Sequence, residues 1–211
     1  PIGFRSEAGK TYSLHIELRD EDGMLKEYFA ESTMPRAGCV LDSIDYKYMA
    51  PQMDSVWTFG IWGSDLPGED RYFTLLGTNG SVYPYDQGLF ISDTYFEGKS
   101  VDGFPFGVFT RNAETRKKYG ECAKPLETGD VITLSLFNIT QEFYEFLTAF
   151  ATNVSAISIP LLTPPPANLP TNLHGENVFG FFTTCSVVSA SRIVDDPYRT
   201  SFGQQGTATP Q

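Results

Sequence analysis

The chain has 211 residues, 41% of them hydrophobic and 14% aromatic, which is enough apolar surface for one large domain or two small ones. Its 26 acidic residues outnumber 15 basic ones for a net charge of −11, and no basic stripe offsets the repulsion a phosphate backbone would feel, so nucleic acid is not an expected partner. No apolar run approaches the ~20 residues that cross a bilayer.

Cys39, Cys122 and Cys185 lie far apart, without the paired short spacings of a structural zinc site. The odd count leaves at least one thiol free unless it pairs between chains, and Cys185 sits among apolar strand residues where a free thiol acts as a small hydrophobe. A single bridge, if formed, is expected between Cys39 and Cys122. The sequence begins at Pro1, without an initiator methionine or signal peptide, and reads as a processed or partial segment whose targeting information lies upstream.

Tyr12, Leu14, Ile16 and Leu18 alternate with Ser13, His15, Glu17 and Arg19, the period of a half-buried strand. Asp20 to Gly23 supplies tight-turn chemistry and Met24 to Ala30 the return strand, so residues 11–33 are read as a hairpin. Leu41 to Met49 alternates again, with Leu41, Ser43, Asp45 and Lys47 opposite Asp42, Ile44, Tyr46 and Tyr48. Ser55 to Gly63 and Arg71 to Leu76, joined across Pro67-Gly68, are read as a second hairpin.

Residues 77–125, rich in Gly, Tyr, Phe and Asp, hold short runs such as Tyr83 to Phe90 and Phe104 to Thr110 that fit strands or ordered loops. Val131 to Asn138 is apolar enough for a buried core strand. Phe143, Phe146, Leu147, Phe150 and Val154 recur at helical spacing, which predicts an amphipathic helix over Gln141 to Thr152, capped by Asn138 or Thr140 and favoured by Glu142 near its positive end. Leu161 to Pro170 forms a Pro-rich extended strap, and Val178 to Ser191 a final strand with Phe179, Phe181, Thr183, Cys185 and Val187 on one face. With no internal repeat or linker, residues 1–194 form a single β-rich domain, mainly β, antiparallel and sandwich-like with one helix; residues 195–211 are expected to be a flexible tail.

Chemistry is sparse. His15 lies on the exposed face of a strand and His174 in the loop from Thr171 to Gly175, positions that suit solvated or turn-forming residues better than a general base. Asp65, Glu69, Asp70, Asp86 and Asp93 raise the possibility of a glycosidase carboxylate pair, yet acids beside Gly and Pro are ordinary turn formers. Asp20, Asp22 and Gly23 lack the spaced ligands and terminal glutamate of a calcium loop, and there is no nucleophile elbow, Walker loop or dinucleotide fingerprint. No catalytic residue, metal or cofactor is therefore assigned. The aromatic excess, including Trp57, Trp62, Tyr72, Tyr83, Tyr85, Tyr95, Phe96, Phe104 and Phe106, fits a sandwich core or a stacking platform for a sugar or peptide. Tyr83, Tyr85, Asp86 and Trp62 are the candidate ligand-binding residues.

The order of segments resembles a Bacteroidota family of domains of unknown function, family 4249, whose members are predicted outer-membrane lipoproteins. The matching segments are Gly9 to Leu14, Tyr28 to Thr33 and Leu41 to Ile44, then Asp65 to Gly68 with Arg71 to Phe73. Ser92 to Gly98, Gly129 to Val131 and Ile139 to Tyr144 follow in order, and the series closes with Pro166 to Asn172 leading to Gly175 and Gly180 to Phe182. Members usually begin with a lipid-modified cysteine and a further N-terminal β-region that this sequence lacks. The resemblance implies a non-catalytic surface lipoprotein of the outer membrane, lipid-anchored in its full-length form. It would be accessory to a TonB-dependent transporter or to envelope assembly. A carbohydrate- or peptide-binding module and a glycoside hydrolase using Asp65, Asp86 or Asp93 are the alternatives.

Overall fold

The computed structural model describes residues 6–19, 21–49, 56–82, 89–94, 96–120, 123–156 and 169–203. In these residues the protein is mainly β and wholly antiparallel, with strands β1 (Thr11–Arg19), β2 (Leu25–Thr33), β3 (Cys39–Tyr48), β4 (Val56–Asp65), β5 (Arg71–Thr78), β6 (Ser81–Val82), β7 (Leu89–Ser92), β8 (Ser100–Thr110), β9 (Val131–Asn138) and β10 (Ser186–Ile193). Helix α1 (Ala113–Tyr119) precedes β9 and helix α2 (Gln141–Ala156) follows it. No helix among the described residues is long and apolar enough to cross a membrane.

One sheet has the order β3-β4-β8. The other runs β10-β9-β5, with β7 and β6 sharing the remaining edge of β5. Their inner faces form the sandwich core: Ile44, Tyr46, Trp57, Phe59, Phe106 and Phe109 meet Tyr72, Leu76, Ile132, Leu134 and Leu136. Each large apolar side chain sealed this way contributes roughly 1.5–3 kcal/mol relative to exposure.

Bulges set which residues reach that core. In β8 the pairing with β4 skips Gly103 and Gly107, whose φ angles of 66° and 72° are left-handed and suit glycine. Skipping Gly107 lets Phe106 and Phe109, three residues apart, both point inward, where Phe109 packs edge-on against Phe59 at 4.9 Å. A third irregularity, at Asp42 in β3, puts Leu41 with Ile44, Tyr46 and Tyr48 against the core, not with Asp45 and Lys47 as strict alternation predicts.

The expected hairpin of residues 11–33 is present as a two-stranded sheet of its own. The expected hairpin across Pro67-Gly68 is not: β4 has both edges filled by β3 and β8, so the chain crosses to the opposite sheet and β5 pairs with β9. The predicted final strand is also shorter. Only Ser186–Ile193 pairs with β9, with Val188 and Ala190 inward and Val187 exposed, while Phe179, Phe181, Thr183 and Cys185 belong to irregular chain.

Helix α2 starts where predicted, and Thr140 accepts the Phe143 N–H at 3.3 Å as its cap. Helix α1, unforeseen in the loop-like region, is opened by Asn112, which accepts the N–H groups of Glu114 and Thr115 at 3.0 Å each in a capping box.

Residues 195–203, read as part of a tail, lie along β3 and β4. Trp57 Nε1 donates to the Pro197 carbonyl at 2.6 Å, Tyr46 donates to Asp195 at 2.7 Å, and Arg199 pairs with the buried Asp45. Residues 161–168 of the proline strap and residues 204–211 lie outside the described residues.

Candidate functional site

Tyr83, Tyr85 and Asp86 lie outside the described residues. Trp62 is half-buried, with its ring edge-on to Phe202 at 5.4 Å, and helps hold residues 195–203 on the sheet. The two histidines are set by the hairpin. His15 stacks on Phe29 at 4.3 Å and faces Glu27 and Glu17 at 3.5 and 3.8 Å, an exposed cross-strand group, while the backbone of His174 exchanges two hydrogen bonds with Phe29.

The structure brings Asp65 and Asp93 together with Asp70. One carboxylate oxygen from each lies within 4.8 Å of the others beneath the crossing from β4 to β5, and all three residues are buried. Their bonds run inward. Asp93 accepts the Asp70 N–H at 2.8 Å and faces Arg71 at 3.5 Å. Asp65 accepts the Tyr72 hydroxyl at 3.2 Å and the Gly98 N–H at 2.9 Å, and Asp70 accepts Asn138 at 2.7 Å. Burial pushes the Asp65 carboxyl above its ordinary value, the Gly98 N–H opposes this, and the neighbouring Asp93 charge adds to the rise.

The adjoining pocket, lined by Cys39, Leu41, Ile61, Trp62, Tyr72 and Phe104 among others, holds about 50 Å³. That is well below the ~300 Å³ at which ligand sites begin. Cys39 is a free thiol, so the expected bridge to Cys122 is not formed; burial pushes it up to about 11, which leaves it protonated and unreactive near neutral pH.

A second concavity, of about 420 Å³, opens where the hairpin, the start of α2 and the chain before β10 meet. Thr11 comes from β1, Glu31, Ser32 and Thr33 from β2, Thr140 and Glu142 from the start of α2, and Asn172 and Phe181 from the segment that follows. Every one of these residues falls in a segment that carries the family resemblance, although those segments are scattered from residue 9 to residue 182.

Asn172 is the stitch. Its amide donates to the Glu31 and Phe182 carbonyls at 2.9 and 2.7 Å and accepts the Phe182 N–H at 2.9 Å, which ties β2 to the Phe181 segment. Ser32 holds Thr184 from the same side, and Phe181 lies 5.4 Å from both Phe143 and Phe146 of α2. The hairpin reading of residues 11–33 and the helical spacing of α2 place these residues individually. Nothing local signals their convergence, because it depends on long-range pairing through Asn172.

The family model for Domain of unknown function (DUF4249) matches residues 2–191. No curated protein and no solved structure matches the chain.

Proposed function

Because the chain belongs to the family of the Domain of unknown function (DUF4249), we propose that it is a non-catalytic binding component of the bacterial cell envelope. In this reading it is a Bacteroidota outer-membrane lipoprotein, anchored by lipid in its full-length form and exposed at the cell surface. It works beside a TonB-dependent transporter or an envelope assembly.

The observation that carries the binding role is the 420 Å³ cleft, which lies within the ~300–1,000 Å³ range of ligand sites and is lined by hydroxyls, an amide, two carboxylates and one aromatic ring. The non-catalytic part is supported by the sealed state of Asp65 and Asp93. Both are buried and engaged by backbone N–H groups, and their pocket is too small for a sugar ring to reach them. The net charge of −11 fits a surface that stays soluble and turns away nucleic acid.

An affinity pulldown from native outer membranes with the full-length protein is expected to recover a TonB-dependent transporter. Recovery of no transporter or other envelope partner overturns the accessory role. The alternative, a free-standing carbohydrate- or peptide-binding module, uses the same cleft and is the reading that this negative result would favour.

A further inference from the structure

The polar atoms that line the cleft differ in how much bonding capacity they have left. The Asn172 amide is engaged on both its nitrogen and its oxygen, Ser32 is held by the Thr184 N–H at 2.9 Å, and Thr140 caps α2. Thr11 and Thr33, facing each other across the hairpin, share a hydrogen bond of 2.8 Å between their hydroxyls.

The carboxylates are the exception. Glu31 commits one oxygen to the Ser13 hydroxyl at 3.0 Å, and among the described residues neither its Oε2 nor Glu142, exposed in the first turn of α2, has a partner. No Lys, Arg or His among the described residues lines the cleft. What is left in it is acceptor capacity, negative charge and the π-face of Phe181, whose ring is partly open to solvent and backed by Phe143 and Phe146.

We propose that the cleft recognises a peptide segment carrying an ammonium or guanidinium group. Its N–H donors would be taken by Glu31 and Glu142 while the cation rests against Phe181. A charged N–H donor satisfies acceptor-only groups that a neutral hydroxyl would satisfy more weakly, and the electron-rich face of an aromatic ring attracts the same charge. Glu142 and Glu31 are the specificity-determining residues, and Asn172 positions the ring and the strand between which the cation lies. The inference rests on the cleft being the binding site.

The test uses the full chain and titrates it by calorimetry with N-terminally acetylated tetralysine and tetra-arginine peptides, the same tetralysine with every side chain acetylated, an N-terminally acetylated tetraglutamate peptide and neutral N-acetylglucosamine oligosaccharides. Because a chain this acidic attracts polycations over its whole surface, the titrations are run at about 0.15 M salt, where exposed charges beyond ~8 Å are screened. The Glu31→Gln/Glu142→Gln variant is compared with Glu17→Gln/Glu27→Gln, which removes the same charge from the hairpin outside the cleft.

The basic peptides are expected to bind and the side-chain-acetylated one is not. The cleft variant should weaken binding by about tenfold or more, the size of one lost charge-assisted hydrogen bond, while the hairpin variant should not. Equal loss in both variants, or tight binding of the side-chain-acetylated peptide, overturns the cation inference. If the oligosaccharides or tetraglutamate bind instead and Phe181→Ala abolishes that binding, the cleft stands as the site and only the ligand class falls. If no probe binds in a manner sensitive to Phe181→Ala or to the cleft glutamates, both readings fall together.

Discussion

Asp65, Asp70 and Asp93 meet in a sealed knot beneath the crossing from β4 to β5, whereas Glu31 and Glu142 stand open beside α2. In the knot, backbone N–H groups, the Tyr72 hydroxyl, Asn138 and the Arg71 guanidinium engage nearly all the oxygen atoms in holding two sheets together. In the cleft the Asn172 amide already serves the Glu31 carbonyl and the Phe182 N–H, and among the described residues the Glu31 carboxylate bonds only Ser13 and that of Glu142 bonds nothing. A carboxylate cluster therefore says little by residue type. Its oxygen atoms either close the fold or wait for a partner, and the hydrogen bonds they make separate the two cases.

The comparison breaks most sharply at Asp93. Replacing it by alanine leaves Arg71, only 16% exposed, without its buried carboxylate, and strips the acceptor from the Asp70 N–H. Removing one partner of a buried ion pair costs about 3–5 kcal/mol, so Asp93→Ala should shift the urea midpoint strongly while leaving any ligand binding of the folded fraction intact. A loss under ~1 kcal/mol would mean that the knot is not a structural lock.

A smaller and signed effect comes from Asp65. Its carboxyl is held above the ordinary value of 3.8, so the folded state takes up a proton more readily than the unfolded chain. That contribution is fully present below 3.8 and is lost as pH rises through the raised value. Asp130 runs the other way: burial alone would raise it, but the Glu127 N–H, Asn79 and the Lys124 ammonium together hold it below the ordinary value. Its contribution is present above 3.8 and lost as pH falls through the lowered value. Unfolding free energies of the wild type and Asp65→Asn, measured by urea titration from about pH 7 down to about pH 4, should therefore diverge in favour of the wild type as pH falls. Parallel curves would remove the assigned proton uptake.

Legibility in the sequence follows the range of the interaction. The β1–β2 hairpin is readable because the turn chemistry of Asp20 to Gly23 and the strict alternation of Tyr12 to Arg19 before it specify it locally, and α2 because five apolar residues repeat at helical spacing. Strand β9 is readable from the density of Val, Ile, Leu and Phe in its sequence. The partner of β4 is not, since alternation says that a strand exists and not which edge it meets; the Pro67-Gly68 turn serves a crossing between sheets as well as it would a hairpin.

The bulges at Gly103 and Gly107 shift the phase of β8 in a way that a period-two reading cannot follow. Helix α1 buries no side chain and so leaves no apolar stripe, although Asn112 before Glu114 and Thr115 is a capping signal that could have found it. The ordering of residues 195–203 depends on Asp45, Tyr46 and Trp57, far upstream, and composition alone reads such a segment as a tail. Asp65 and Asp93 are recognisable as chemistry-bearing residues, but their enclosure is not. The cleft is hidden because Thr11, Glu31, Glu142 and Phe181 become neighbours only after the hairpin, α2 and the Asn172 stitch are in place.

The smallest expected effect is the one that most sharpens the contrast. Glu31→Gln and Glu142→Gln remove charges that no cation among the described residues of the cleft answers. In the first variant the new amide oxygen can still accept the Ser13 hydroxyl. In the second, Glu142 is exposed and has nothing to lose but its interaction with the positive end of α2, worth ~0.3–1 kcal/mol at low salt and less when screened. Each substitution should then move the unfolding free energy by no more than about 0.5 kcal/mol, the usual range for surface changes. This stands against several kcal/mol for Asp93→Ala under the same conditions. Residues kept for binding are expected to be cheap to alter in the fold and costly to alter in recognition, and residues of the knot the reverse. A loss of about 2 kcal/mol or more in either glutamine variant, well beyond the surface range, would mean that the cleft glutamates brace the hairpin against α2, and the cleft would then be a second structural junction instead of a site.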